Sequence, residues 1–161
     1  MPSLRELEVS FNPTEFPRAI DRYPSLEKLF VVECGLRSLP EEVASLSRLS
    51  WLNLNVNQLT HLPEGLTRMP ELKLLYVKAN LLRSLPDFRA SSLTEVMVGG
   101  NPLTSAQIAG AFPPAARKNS GLRINILIRG SIEIIMPYLA LTRPPTKTCK
   151  FPHPPRRGQL P

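Results

Sequence analysis

Residues 49–63 read LSWLNLNVNQLTHLP, and residues 72–86 read LKLLYVKANLLRSLP. Set one on the other at a step of 23 residues, they agree position by position. Leu49 matches Leu72, Leu52 matches Leu75, Leu54 matches Val77, Asn57 matches Asn80, and Leu62-Pro63 matches Leu85-Pro86. Working outward, residues 26–40 (LEKLFVVECGLRSLP) fit the same frame, with Cys34 at the Asn position. Downstream, Leu93, Val96, Val98, Asn101 and Leu103 fit and the Leu-Pro is lost. Upstream, Leu4, Leu7, Val9 and Asn12 fit, and Phe16-Pro17 arrives one residue early. Five units therefore open near residues 4, 26, 49, 72 and 93.

A fixed period of this length marks a repeat architecture. The L-x-L core of each unit alternates apolar and other residues, the period-2 pattern of a strand. One such unit cannot bury its apolar side alone, but stacked units bury it together. Successive strands then sit about 4.8 Å apart in a parallel sheet. Leu-Pro and the apolar residues after it (Val43, Leu46, Leu66, Met69) close the opposite side. Proline's fixed φ and missing N–H suit an irregular or short helical return at Pro40, Pro63 and Pro86.

These positions resemble the leucine-rich-repeat family in its intracellular Leu-Pro form, over about residues 4–112. The same form occurs in Ras-pathway scaffold and Scribble-like polarity proteins. The resemblance implies an α/β repeat solenoid, an arc with a parallel concave sheet and an irregular or short-helical convex side. It also implies that Asn12, Asn57, Asn80 and Asn101 form a structural ladder, their amides bonding neighbouring backbone. An Asn amide both donates and accepts, and buried backbone groups at a sharp turn need partners. Cys34 is read as a small buried hydrophobe in that row.

With the inward positions assigned, the other strand residues face the concave side. One row reads Glu6, Lys28, Trp51, Leu74, Glu95; the next reads Glu8, Phe30, Asn53, Tyr76, Met97; a third reads Ser10, Val32, Asn55, Lys78, Gly99. The middle units are apolar there, and the chain's one Trp is among them. A contiguous exposed apolar patch marks an interaction site, and Trp, Tyr and Met are enriched at interface cores. Lys28, Phe30, Trp51, Asn53, Leu74, Tyr76 and Met97 are the expected partner-binding residues.

No catalytic arrangement competes. A phosphate-binding Gly-rich loop and a G-x-S-x-G elbow are missing from the sequence. The two His, His61 and His153, and the two Cys, Cys34 and Cys149, are too few and too scattered for a metal cluster or a disulfide framework. No catalytic residue, metal, cofactor or small-molecule substrate is expected.

Charge divides the chain. Residues 1–112 hold 11 Lys/Arg against 12 Asp/Glu, while residues 113–161 hold 9 Lys/Arg against Glu133 alone. Nucleic-acid binding therefore has no support in the body. It survives only for the tail, where a charge run is more simply a solvated segment. Three parts follow: repeats over 1–112, an atypical segment over 113–142 and a Pro/basic tail over 143–161.

Residues 104–117 suggest a short helix ended at Phe112-Pro113. In LRINILIRGSIEIIM, Leu122, Ile124, Ile126 and Ile128 alternate, predicting an extra strand. Arg123, Arg129, Glu133 and Pro137 interrupt that run, so no membrane span is expected. The tail's six Pro and five Lys/Arg in 19 residues predict disorder. Within it, Pro152, Pro155 and Arg157 match the PxxPx(K/R) pattern read by Src-homology-3 domains.

No secretory signal is readable at the N-terminus, and the expected location is the cytoplasm. The first strand starts almost at residue 1 with no cap, so a piece of a longer protein is one expectation. The expected function is a non-catalytic protein-binding module in signalling or scaffolding. The alternative is part of a larger repeat-containing enzyme such as a kinase.

Overall fold

The structure is a computed structural model, and it describes residues 4–11, 16, 19–112 and 122–125. Among the described residues, six three-residue strands form one parallel sheet in sequence order: β1 Glu6–Glu8, β2 Lys28–Phe30, β3 Trp51–Asn53, β4 Leu74–Tyr76, β5 Glu95–Met97 and β6 Arg123–Asn125. The register repeats without slip, so Leu7, Leu29, Leu52, Leu75, Val96 and Ile124 align across the sheet. The middle four are fully buried, while Leu7 and Ile124 at the two edges are half-buried. This is the expected leucine-rich-repeat arc.

The repeat rule explains the core. Opening leucines Leu26, Leu49, Leu72 and Leu93 lie inside, as do Val31, Leu54, Val77 and Val98 after each strand. Leu36, Leu59, Leu82 and Leu103 fill the next layer. One apolar cluster runs the length of the described repeats.

The convex side differs from unit to unit. Short 3-10 helices at Ile20–Arg22, Glu41–Ser45 and Glu64–Arg68 close the first three units. Pro40 and Pro63 cap the last two in extended conformation, where a missing N–H costs nothing. Val43, Leu46, Leu66 and Met69 point inward from these returns. Consecutive returns pack tightly, because a Cβ added at Gly65 would lie 2.5 Å from the Ala44 Cβ.

The fourth unit is shorter and follows Pro86 with a turn. Phe88 fills the vacant volume and stacks flat on Phe112, their centroids 5.3 Å apart. The fifth unit closes with α1, Ser105–Ala111. A capping box opens it, with Thr104 accepting from the Gln107 N–H and the Gln107 side chain accepting from the Thr104 N–H. The helix ends at Phe112. No helix among the described residues is long and apolar enough to cross a membrane.

Candidate functional site

The turn after each strand positions both faces. The residue just before the ladder position is left-handed in every unit: Phe11, Glu33, Val56, Ala79 and Gly100, with φ between 52° and 76°. Only the last is a glycine. A β-branched residue at positive φ is strained, so Val56 is held there by its surroundings.

Those surroundings are the ladder. Asn57 Oδ1 accepts from the N–H groups of Cys34 and Leu36, both at 3.1 Å. Its Nδ2 donates to the carbonyls of Val31, Leu54 and Asn55. Asn80 repeats the pattern, accepting from Leu59 N–H and donating to Leu54, Val77 and Lys78 carbonyls. Asn101 accepts from Leu82 N–H and donates to Val77 and Val98 carbonyls. Asn57 and Asn80 are the buried polar side chains among the described residues. Cys34 keeps only the donor half of the role, its Sγ lying 2.8 Å from the Val9 carbonyl. Asn12 lies outside the described residues.

With the turns fixed, pairing aligns the concave rows. Lys28, Trp51, Leu74 and Glu95 are neighbours across β2 to β5, as are Phe30, Asn53, Tyr76 and Met97. All seven expected partner-binding residues are half-buried. The aromatic ones pack on each other. Trp51 meets Phe30 edge-on at 4.9 Å and 76°, and meets Tyr76 edge-on at 5.7 Å and 74°. Such near-perpendicular pairs suit the aromatic quadrupole. Diagonal contact between strands was not legible in the repeat pattern, because it depends on rotamers.

Polar groups frame the patch. The Tyr76 hydroxyl donates to Glu95 Oε1 at 3.0 Å. Burial first, then that hydrogen bond and the carboxylate charge, push the Tyr76 phenol up to about 12. Lys28 Nζ pairs with Glu6 at 3.1 Å, an exposed contact that adds little to stability. Asn53 Oδ1 accepts from Asn55 N–H, and Asn55 Oδ1 accepts from Lys78 N–H at 2.7 Å. Trp51 Nε1 is buried without a hydrogen-bond partner among the described residues. An unpaired buried donor costs about 1–3 kcal/mol in lost hydration.

Elsewhere, a convex groove of about 400 Å³ lies beside the Leu-Pro segments, lined by Leu39, Glu41, His61, Leu62, Pro63, Glu64, Ser84, Leu85 and Pro86. Among the described residues, no group of three His, Cys, Asp or Glu could hold a metal ion. Pro152, Pro155, Arg157 and Cys149 lie outside the described residues.

Comparison with known proteins agrees with the geometry. A family model described as leucine rich repeat matches residues 24–82. A solved leucine-rich-repeat protein of Leptospira interrogans is similar at 24% identity over 68% of this chain, with a TM-score of 0.58. This chain covers 28% of that protein's solved chain. The search of curated proteins found no match. Repeat register, turn ladder and the family-model match over residues 24–82 together show leucine-rich repeats in this chain, and the solved structure shares its fold.

Proposed function

We propose that this chain is a non-catalytic protein-binding module that receives its partner on the concave face, in cytoplasmic signalling or scaffolding. Leucine-rich-repeat domains are commonly interaction modules, which supports the coarse reading. The observation that carries the finer one is the aromatic ladder of Phe30, Trp51 and Tyr76, half-buried and flanked by Leu74 and Met97. Apolar area left on a sheet face favours association, because a partner removes it from water. A buried aromatic anchor at the centre of an interface contributes about 2 kcal/mol or more, and a rim charge contributes less. The division of residues 1–112, 113–142 and 143–161 belongs to the same proposal, as does a Src-homology-3 contact through Pro152, Pro155 and Arg157.

The test is capture of a partner by the full chain and by variants. Trp51→Ala and Tyr76→Ala should each weaken capture at least tenfold with an unchanged circular dichroism spectrum. Lys28→Ala should weaken it less. If both aromatic variants fold and bind as the parent does, the concave face is not the binding surface.

A further inference from the structure

We infer that the Phe30–Trp51–Tyr76 ladder takes a proline-rich segment of another protein, bound as a polyproline helix with its basic end over β1. The inference rests on the concave-face reading and specifies its ligand.

Spacing comes first. Phe30 and Tyr76 occupy one row on β2 and β4, separated by Asn53 on β3. Two strand spacings are about 9.6 Å. One turn of polyproline helix, three residues, rises about 9.3 Å. Prolines at i and i+3 therefore fall in step with the two rings. Trp51 stands nearly perpendicular to both, at 76° and 74°. Each pair of rings forms an angled wall and floor, one on each side of the indole. Aromatic-lined grooves of this kind suit a ligand whose shape is already fixed before binding.

Hydrogen bonding comes second. Trp51 Nε1 is a buried donor lacking a partner among the described residues. A polyproline helix makes no internal hydrogen bonds, so its carbonyls are free acceptors. A carbonyl between the two prolines would supply what the indole lacks, after a small reorientation among its half-buried neighbours.

Charge fixes the direction. Glu8 pairs in register with Phe30, is exposed, and makes no ion pair among the described residues. Strand β1 lies about 4.8 Å beyond β2, and two more polyproline residues add about 6 Å. A basic residue two positions after the second proline therefore reaches Glu8. The same step beyond Tyr76 lands on β5, which presents Met97 in that row, and the Glu95 carboxylate on β5 already accepts the Tyr76 hydroxyl, so Glu8 is the acidic group left for a basic residue.

The experiment titrates the full chain into a fluorescein-labelled peptide, APPAPPARA, followed by anisotropy. Saturable binding is expected. Trp51→Phe keeps a ring and removes the N–H, and should weaken binding about five- to tenfold. Glu8→Lys should weaken it at least fivefold, as should the peptide APPAPPAEA, with circular dichroism unchanged. Absence of saturation overturns the inference. So does equal binding across the parent, both variants and both peptides. The chain's own Pro152, Pro155 and Arg157 share the ligand spacing, so a Pro152→Ala/Pro155→Ala variant is included. Unchanged affinity there supports an external ligand. A large gain would make the chain's own segment the occupant and overturn the assignment to another protein. A partner captured through Trp51 and Tyr76 in a chain that ignores these peptides would keep the concave-face reading and refute this one.

Discussion

The stretch from Leu26 to Met69 and the stretch from Pro86 to Phe112 solve one packing problem by different means. In the first, returns led by Pro40 and Pro63 run as 3-10 helices and send Val43, Leu46, Leu66 and Met69 inward. In the second, a turn and α1 replace them, and the stacked Phe88 and Phe112 fill the volume. The strands of both regions share one register. The comparison teaches that the sheet side tolerates almost no variation. Each strand must offer its inward residue at one height, since a slip of one residue would turn every side chain to the other face. The convex side has only to exclude water, so its secondary structure is free as long as the volume is filled.

Removing the aromatic filler should cost most. Phe112→Ala should destabilise by about 3–5 kcal/mol, as large-to-small changes at fully buried aromatics do. Urea denaturation measures it. A loss below about 1 kcal/mol would mean that the C-terminal region does not depend on the stack.

Next is the element common to both regions. Asn57→Ala orphans the N–H groups of Cys34 and Leu36 and the Val31 carbonyl, while the Leu54 and Asn55 carbonyls keep their bonds from Asn80 and Glu33. A loss of about 1–3 kcal/mol is expected. A variant that melts with the parent would remove the ladder from the account of stability.

One substitution should then act with opposite signs in the two regions. Gly65→Ala places a Cβ 2.5 Å from that of Ala44, whereas nothing lies within 4 Å of a Cβ at Gly110. Gly65→Ala should destabilise by about 1–3 kcal/mol through overpacking. Gly110→Ala should stabilise by about 0.5–1 kcal/mol, the helix preference of Ala over Gly. Equal effects would refute the contrast between tight 3-10 packing and an open helix face.

The smallest effect lies on the concave face. Tyr76 has its phenol raised from an ordinary 10.0 to about 12. The folded state holds that proton more tightly than the unfolded chain. Its contribution to stability is full below pH 10 and is lost as pH rises toward 12. Tyr76→Phe should flatten that part of the stability profile. An ultraviolet titration of the parent should show one tyrosine ionising late.

Much of this was legible because the repeat writes its constraint five times. Leu29, Leu52 and Leu75 align across strands from the spacing alone, since only one offset serves all units. Asn57 and Asn80 were legible as ladder residues through the family resemblance, and buried backbone groups at a sharp turn need such partners. Phe88 was not legible. It stands outside the repeat positions, and its role depends on Phe112, which lies in another unit. The left-handed turn at Val56 was hidden for a related reason: a β-branched residue gives no sign of positive φ, and the strain is held by bonds from neighbouring units.

By itself, the sequence determined the solenoid, the parallel register, the inward and outward rows and the turn ladder. The stacked strands, their register and the two rows follow from periodicity, a property of the chain alone, while the arc and the ladder follow from the resemblance that the repeat motif carries. Tertiary structure decided how Trp51 meets Phe30 and Tyr76, that its indole N–H is left without a partner among the described residues, that Glu95 takes the Tyr76 hydroxyl, and how Phe88 and Phe112 close the convex side. Those contacts depend on rotamers and on distances between residues about twenty or more positions apart. No local pattern encodes such distances until the units are stacked.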